Sequence, residues 1–159
     1  MNELLELLKQ NALESPENLG KMLGISVDEV KKQIAEYEKE GVIRAYQAIV
    51  NEEKLDASLV TTVIEVKVTP ESEGGFDRIA ARISRFPEVE SAYLMSGTFD
   101  LLLFIKGRTM HEAAGFVSEK LATMTGVTST ATHFMMKTYK QNGILMQTGE
   151  DDERLKVSP

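Results

Sequence analysis

The run of five apolar residues Leu101–Ile105 is the feature that most constrains the fold of this chain. It directly follows a turn, Ser96–Asp100, and a strand-like segment beginning at Phe86 precedes that turn, so we predict a β-hairpin. A strand that is apolar at every position is buried on both faces of its sheet. Because the sequence offers no third helical layer to cover the second face, the pattern predicts a second copy of the same sheet, and hence a symmetric homodimer.

The composition favours a cytoplasmic protein that does not bind membranes. The chain has 159 residues, enough for one domain or two small ones. It contains no cysteine, which excludes disulfides and thiolate metal ligands and fits a reducing compartment. No apolar run approaches the ~20 residues that span a bilayer, and the first residues lack the basic region of a signal peptide.

The net charge of −7 is unevenly distributed along the chain. Residues 1–57 carry 7 Lys/Arg and 12 Asp/Glu, a net charge of −5, whereas residues 58–147 carry 9 of each. Residues 148–159 carry 2 against 4. An acidic first third opposes loose, purely electrostatic binding of nucleic acid by that region.

Three short amphipathic helices are predicted within residues 1–50. Asn2 can cap the first helix, and Ser15 followed by Pro16 begins the second. Ser26, with Glu29 three residues later, forms a capping box for the third. Only three residues separate the second and third helices, a spacing typical of a helix-turn-helix.

The segment Val42–Val50 is interpreted as a wing strand or hairpin arm, which would complete a winged helix-turn-helix. The exposed side of the third helix carries charges of both signs, and its carboxylates repel phosphates. The candidate DNA-contacting residues are Ser26, Asp28, Lys31, Lys32, Lys39 and Arg44. The alternative is a helix-turn-helix that serves dimerisation or has lost its contact with DNA.

The remainder of the chain reads as strand, helix, strand, strand, helix, strand. Leu59–Val68 alternates as a strand, and Phe76, Ile79 and Ile83 recur at helical spacing. After the hairpin, a last strand is predicted from Val127 to about Tyr139. The second helix has a predicted apolar stripe of Met110, Ala113, Ala114, Val117, Leu121 and Met124. This order predicts a ferredoxin-like βαββαβ unit, and the whole chain is of the α+β class.

The turn before Leu101 is a candidate receptor for a small polar molecule. Gly97 lets the backbone approach a ligand closely, and Asp100 adds a carboxylate; the alternative is an ordinary turn. The two histidines, His111 and His133, have no acidic residues at metal-ligand spacing, so no metal site is expected. Since no nucleophile–base pair or phosphate loop is present, we expect neither an enzyme nor a cofactor.

With these segments in order, the whole chain resembles the Lrp/AsnC (feast/famine) family of transcription regulators. In the first third the resemblance lies in Leu19–Ser26, Glu38–Ile43 and Tyr46–Ala48, which are similar to the winged helix-turn-helix of the family. The later segments resemble its effector-sensing RAM domain: Phe86–Val89, Ser96–Asp100 with the strand after it, Gly126, Val127, Thr130, Thr132, Tyr139 and Lys140.

The resemblance implies a sequence-specific regulator that binds double-stranded DNA, forms dimers and assembles into higher homo-oligomers such as octamers. It also implies an effector, an amino acid or similar small molecule, bound between RAM domains. The implied effector-binding residues are Ser96, Gly97, Thr98, Phe99, Asp100, Ser129, Thr130 and Thr132, with His133 as a further candidate. The alternative function is a small-molecule-sensing oligomer with weak or lost DNA binding.

Together these observations predict four segments. Residues 1–50 form the winged helix-turn-helix DNA-binding domain, and residues 51–58 form a linker. Residues 59–147 form the RAM domain, which binds the effector and oligomerises. Residues 148–159 form an acidic tail that we expect to be mobile.

Overall fold

A computed structural model of the protein describes residues 2–55, 59–70 and 75–146. The chain divides after Val50 into two compact units, the second beginning at Asn51. No helix in the described ranges is long and apolar enough to cross a membrane. The predicted tail from Thr148 onward lies outside the described residues, as do residues 56–58 of the predicted linker.

The first unit contains three helices, α1 (Glu3–Gln10), α2 (Pro16–Leu23) and α3 (Val27–Lys39). Each helix is preceded by the polar capping residue that the sequence predicts. The side chains of Asn2, Ser15 and Ser26 accept hydrogen bonds from the backbone N–H groups of Leu4, Asn18 and Glu29, which would otherwise lack partners in the first helical turn.

The core of this unit and its tight α2–α3 turn explain why the three helices pack. Leu4, Leu8, Leu19 and Val30 are buried together. Gly20 in α2 lies so close to the turn that a Cβ atom would be 2.9 Å from the carbonyl oxygen of Ile25. Gly24 ends α2 with φ +67°, a left-handed conformation that glycine adopts without steric cost.

The predicted wing strand is wrong for the described first unit. Residues 44–50 have no regular secondary structure, and Val42, Tyr46 and Ile49 are exposed. The segment is rich in β-branched and aromatic residues, as strands are, but residues 2–50 contain no second strand with which it could pair. A high β propensity does not by itself form a strand when no second strand is available for backbone hydrogen bonding.

The second unit contains a four-stranded antiparallel sheet of β1 (Val60–Val68), β2 (Val89–Leu94), β3 (Leu101–Gly107) and β4 (Val127–Phe134), in the spatial order β2-β3-β1-β4. A 3₁₀ turn, Glu52–Lys54, precedes β1, and α4 (Asp77–Ile83) follows it. β2 and β3 form the predicted hairpin. α5 (Met110–Gly115) continues as one π-helical segment, Phe116–Leu121, and β4 completes the sheet.

The core of the second unit lies between one sheet face and the two helices. β1 contributes Ile64, Val66 and Val68, and β3 contributes Leu101, Leu103 and Ile105. The helix-side partners of these strand residues are Ile79, Ile83, Ala113, Phe116, Leu121 and Met124.

The predicted stripe of the last helix is wrong at its first residue and omits one buried residue. Phe116, which the α-helical pattern omitted, is buried, whereas the predicted Met110 is 56% exposed. The backbone N–H of Ala122 bonds to the carbonyl of Val117, five residues back, at 2.8 Å. The predicted Leu121 and Met124 are nevertheless buried, so the later part of the stripe still faces the sheet.

The predicted last strand is also too long. β4 ends at Phe134, and a second small hairpin follows, formed by β5 (Lys140–Gln141) and β6 (Ile144–Leu145). Asn142 and Gly143 both have positive φ, as a type I′ turn requires. The Asn-Gly pair is a direct sequence signal for this hairpin, and the prediction of one long strand overlooks it.

We call the sheet face turned away from α4 and α5 the open face. Leu102 and Phe104 of β3 and Val63 of β1 lie on it and are half-buried, whereas Leu101 and Leu103 on the other face are fully buried. β3 therefore alternates in burial within one chain, although its sequence is apolar throughout. The predicted second sheet copy over the open face stays a prediction.

Candidate functional site

The candidate DNA-contacting residues lie on the exposed surface of α3 and just beyond it. Asp28, Lys31, Lys32, Lys39 and Arg44 are all exposed. At 3.6 residues per turn, Asp28, Lys32 and Lys39 fall within about 40° of one another around the helix axis. Lysines and a carboxylate therefore share one helix face, opposite the buried Val30.

Two of the candidate residues also have structural contacts. The Ser26 hydroxyl accepts the Glu29 N–H at 3.2 Å, so its oxygen caps α3. The guanidinium of Arg44 lies beside Gly41, where a Cβ atom would be 3.1 Å from its Nη1. Two residues further along, the Tyr46 hydroxyl donates to Glu38 at 2.9 Å, and partial burial together with this carboxylate raises the pKa of Tyr46. These contacts hold the segment after α3 against the helix.

The turn between β2 and β3 is closed by backbone hydrogen bonds around Asp100. The Met95 N–H donates to the Asp100 carbonyl at 2.8 Å, and the Asp100 N–H donates to the Val66 carbonyl at 3.0 Å. The Asp100 carboxylate accepts the N–H of Val68 at 2.8 Å through Oδ2. Gly97 supplies the required backbone conformation, with φ +148°. Asp100 thus joins the turn to the end of β1.

A depression of about 220 Å³ lies beside this turn, and we call it the β1–β4 depression. Its lining residues are Glu65, Lys67, Thr98, Phe99, Ser129, Thr130 and Ala131. Four of the predicted effector residues are therefore brought together there: Thr98, Phe99, Ser129 and Thr130. The other four, Ser96, Gly97, Asp100 and Thr132, lie nearby in sequence but do not line it.

Sheet register explains why a depression forms at this place. In the antiparallel β1–β4 pair, Glu65 is opposite Ala131 and Lys67 is opposite Ser129. Directly opposed residues share a sheet face. Each long charged side chain of β1 therefore stands beside a short side chain of β4, and the difference in length leaves space.

The sequence reading missed Glu65, Lys67 and Ala131. The available signal was the alternation of β1, which places Glu65 and Lys67 on the face opposite Ile64 and Val66. Two charges on the same face of an otherwise apolar strand are a reason to look for a polar partner. His133, a further candidate in the sequence reading, does not line the depression, but its Nε2 lies 3.3 Å from Oε1 of Glu65.

The described part of the chain contains no group of three or more His, Asp or Glu side chains arranged to hold a metal ion. The chemistry available in the β1–β4 depression is instead that of one carboxylate, one ammonium group and the hydroxyl-bearing residues Thr98 and Ser129. Such a set pairs with charges of both signs and with hydrogen-bonding groups on a small molecule.

Similarity to known proteins identifies the family of this chain. A profile described as the Lrp/AsnC ligand binding domain matches residues 61–145. The HTH-type transcriptional regulator YugG of Bacillus subtilis (strain 168) is 50% identical over 158 residues, which cover 99% of this chain and 95% of YugG. The chain belongs to the Lrp/AsnC family. The family and fold class predicted from the sequence are thereby confirmed.

Two further similarities agree with this assignment. The leucine-responsive regulatory protein of Haemophilus influenzae is 31% identical over 144 residues, covering 91% of this chain and 86% of that protein. A transcriptional regulator of Neisseria meningitidis, solved as an L-Met complex, has a TM-score of 0.69 at 22% identity. The superposition covers 89% of this chain and 93% of that one, so the two share a fold.

Proposed function

We propose that this member of the Lrp/AsnC family is a cytoplasmic, non-enzymatic transcription regulator that binds double-stranded DNA through its first unit. Its activity or assembly is controlled by an amino acid or similar small molecule bound at the β1–β4 depression. The chain acts as a homodimer and assembles into higher homo-oligomers.

One observation carries this proposal. The match to an HTH-type transcriptional regulator extends over 99% of this chain, so it includes both the three capped helices and the ligand-binding domain. A likeness confined to the second unit would support sensing alone. The two regions together support a protein in which a ligand influences DNA binding.

The surface of α3 supports DNA binding with strong dependence on salt. Lys31, Lys32, Lys39 and Arg44 can contact phosphates, and the exposed side chain of Asp28 opposes them. Because few cations carry the attraction and carboxylates stand among them, non-specific affinity should be weak. Base contacts in the major groove then provide most of the discrimination between sequences.

The open face supports the proposed dimer. An apolar strip is formed by Leu102, Phe104 and Val63. Beside it, the ring of Tyr93, a residue that is 52% exposed, meets the ring of Phe104 edge-on, with 6.1 Å between the two ring centres. A second copy related by a two-fold axis would present the same strip to this one. Burying it would remove apolar surface from water on both chains at once.

Fluorescence anisotropy with DNA from the gene's own upstream region tests the proposal. Saturable binding that weakens steeply with salt, and that shifts when an amino acid is added, is the expected result. A flat signal at low salt across many upstream fragments would contradict DNA binding. Light scattering of the same samples, with and without each amino acid, reports dimers and larger assemblies.

A second candidate function is a small-molecule-sensing oligomer that has lost DNA binding. The net charge of −5 on residues 1–57 favours it, because this charge repels DNA. In that case an amino acid changes the light scattering and the melting temperature, while the anisotropy of every DNA fragment stays flat.

A further inference from the structure

The charged groups at the β1–β4 depression allow its ligand to be described more closely, on the basis of the proposed function above. Glu65 and Lys67 are two residues apart on β1, so their Cα atoms are about 7 Å apart and their side chains share one face. They are the two charged residues of the lining. Opposite charges at this spacing can each contact one end of a small zwitterion.

Asp100 is poorly placed for the same task. Its Oδ2 already accepts the Val68 N–H at 2.8 Å, and its side chain does not line the depression. The Asp100 carboxylate instead fixes the end of β1 to the turn. Glu65 does line the depression, and its Oε1 lies 3.3 Å from His133 Nε2.

We propose that Glu65 and Lys67 are the charged groups with which the β1–β4 depression recognises its ligand. Glu65 binds an ammonium group and Lys67 binds a carboxylate, so the ligand is a free α-amino acid with both groups unmodified. The volume of about 220 Å³ suits such a molecule, since it is below the roughly 300–1,000 Å³ of pockets for drug-sized ligands.

His133 acts on Glu65 as a positioning residue. Its Nε2 lies 3.3 Å from Glu65 Oε1 and orients the carboxylate at the rim of the depression. The other residues that face Glu65 are Lys67 on the same strand, Ala131 on β4 and the apolar Leu102 on β3.

Calorimetric titration of the full chain tests the charge assignment. Each standard amino acid is titrated first, and the tightest ligand is then compared with its N-acetyl derivative, which lacks the ammonium charge, and its amide, which lacks the carboxylate. The variants are Glu65→Gln and Lys67→Gln. Their matched controls are Glu119→Gln and Lys140→Gln, which change exposed charges of the same unit outside the lining.

The expected result is a crossed pattern. Each depression variant weakens binding of the amino acid about tenfold or more, whereas the controls bind as the wild type does. In Glu65→Gln, acetylating the amine has little further effect, and in Lys67→Gln, amidating the carboxylate has little further effect. Melting temperatures without ligand show whether each variant remains folded.

The possible failures are distinguishable. If an amino acid binds the wild type and both depression variants equally well, this inference is wrong, and the proposed sensing function stands with its site elsewhere. If the N-acetyl derivative binds the wild type as well as the free amino acid does, the zwitterion requirement is wrong. If no standard amino acid binds the wild type, amino-acid sensing itself fails together with this inference.

Substitution tests the role of His133 separately. His133→Ala should weaken binding of the amino acid several-fold, and His133→Gln, which keeps a hydrogen-bond donor near Glu65, should restore most of the affinity. In the Glu65→Gln background, His133→Ala should have no further effect. Equal affinity of His133→Ala and the wild type would contradict a role for His133.

Discussion

The surface of α3 and the β1–β4 depression are both charged, but they are built in different ways. On α3, Asp28, Lys32 and Lys39 share a face because they lie on one helix, so their positions follow from helical spacing alone. In the depression, Glu65, Thr98 and Ser129 come from three separate segments that meet only through the register of the sheet. The charged face of α3 is therefore a local property, whereas the assembly of the depression from separate segments depends on tertiary structure.

The difference predicts how each surface responds to mutation. Charges on an exposed helix can be changed with little effect on folding, because water solvates them whether or not a partner is present. Changes beside the depression also affect the sheet when they involve a residue such as Asp100, whose carboxylate accepts a backbone N–H of β1. Mutations that separate folding from binding therefore sharpen the contrast.

The largest effect is expected for Asp100→Ala. It removes the acceptor of the Val68 N–H and leaves that donor unpaired at the end of β1, which should lower the free energy of unfolding by about 1.5–3 kcal/mol. Hydrogen exchange measured by peptide should show faster exchange in β1 and the β2–β3 turn, with α1–α3 unchanged. Asp100→Asn, which keeps an acceptor oxygen, is the matched control and should lose less. Unchanged exchange at Val68 would contradict the structural role of Asp100.

Gly20→Ala should give a comparable loss in the first unit. The added Cβ would be 2.9 Å from the Ile25 carbonyl oxygen, so the α2–α3 turn must shift, at a cost of about 1–3 kcal/mol. Gly115→Ala is the control, since its Cβ would meet nothing within 4 Å, and it should be neutral or stabilising. Faster exchange in α2 and α3, with β1–β4 unaffected, is the expected pattern. A melting temperature equal to that of the wild type would show that the turn accommodates a methyl group.

Local signals in the sequence predicted the first unit well. The caps at Asn2, Ser15 and Ser26 formed as expected because a capping residue acts within three positions of its own. The predicted wing strand is wrong because a strand needs a second strand with which to pair. The composition of Val42–Val50 carries no information about such a partner. The Asn142-Gly143 pair is a local sequence signal for the β5–β6 hairpin, but the predicted long last strand does not take it into account.

The β1–β4 depression was only half predictable. Thr98 and Ser129 were implied by the family resemblance, but Glu65 and Lys67 required knowledge that β1 pairs with β4 in a register that places short side chains beside them. No spacing rule within one segment contains that information. The winding change at Phe116 is similar, because a π turn depends on packing against the sheet rather than on helix propensity.

A smaller effect, with a defined dependence on pH, is expected for Glu88→Gln. Lys120 bonds to the Glu88 carboxylate, and this contact lowers the pKa of Glu88, while the ammonium group also lies 5.6 Å from the Phe86 ring centre. A pKa lowered on folding stabilises the protein above the ordinary carboxyl value, and the contribution is lost as the pH falls through the folded-state pKa. The wild type should therefore melt above the variant near neutrality, with the difference shrinking in acid. Lys120→Gln, which removes the other member of the pair, should abolish the same pH-dependent difference.

The smallest effects are expected on the surface of α3, and they test whether its charges are independent of the fold. Lys32→Ala should weaken DNA binding on every sequence and reduce the slope of log affinity against log salt by about one. Asp28→Asn should strengthen binding, because it removes a repelling charge from the same helix face. Both variants should stay within about 0.5 kcal/mol of the wild type in the free energy of unfolding. Anisotropy over a series of salt concentrations measures both changes. If Asp28→Asn weakens binding instead, Asp28 acts as an acceptor for a base rather than as a repelling charge, and the mixed charge of α3 is part of its sequence recognition.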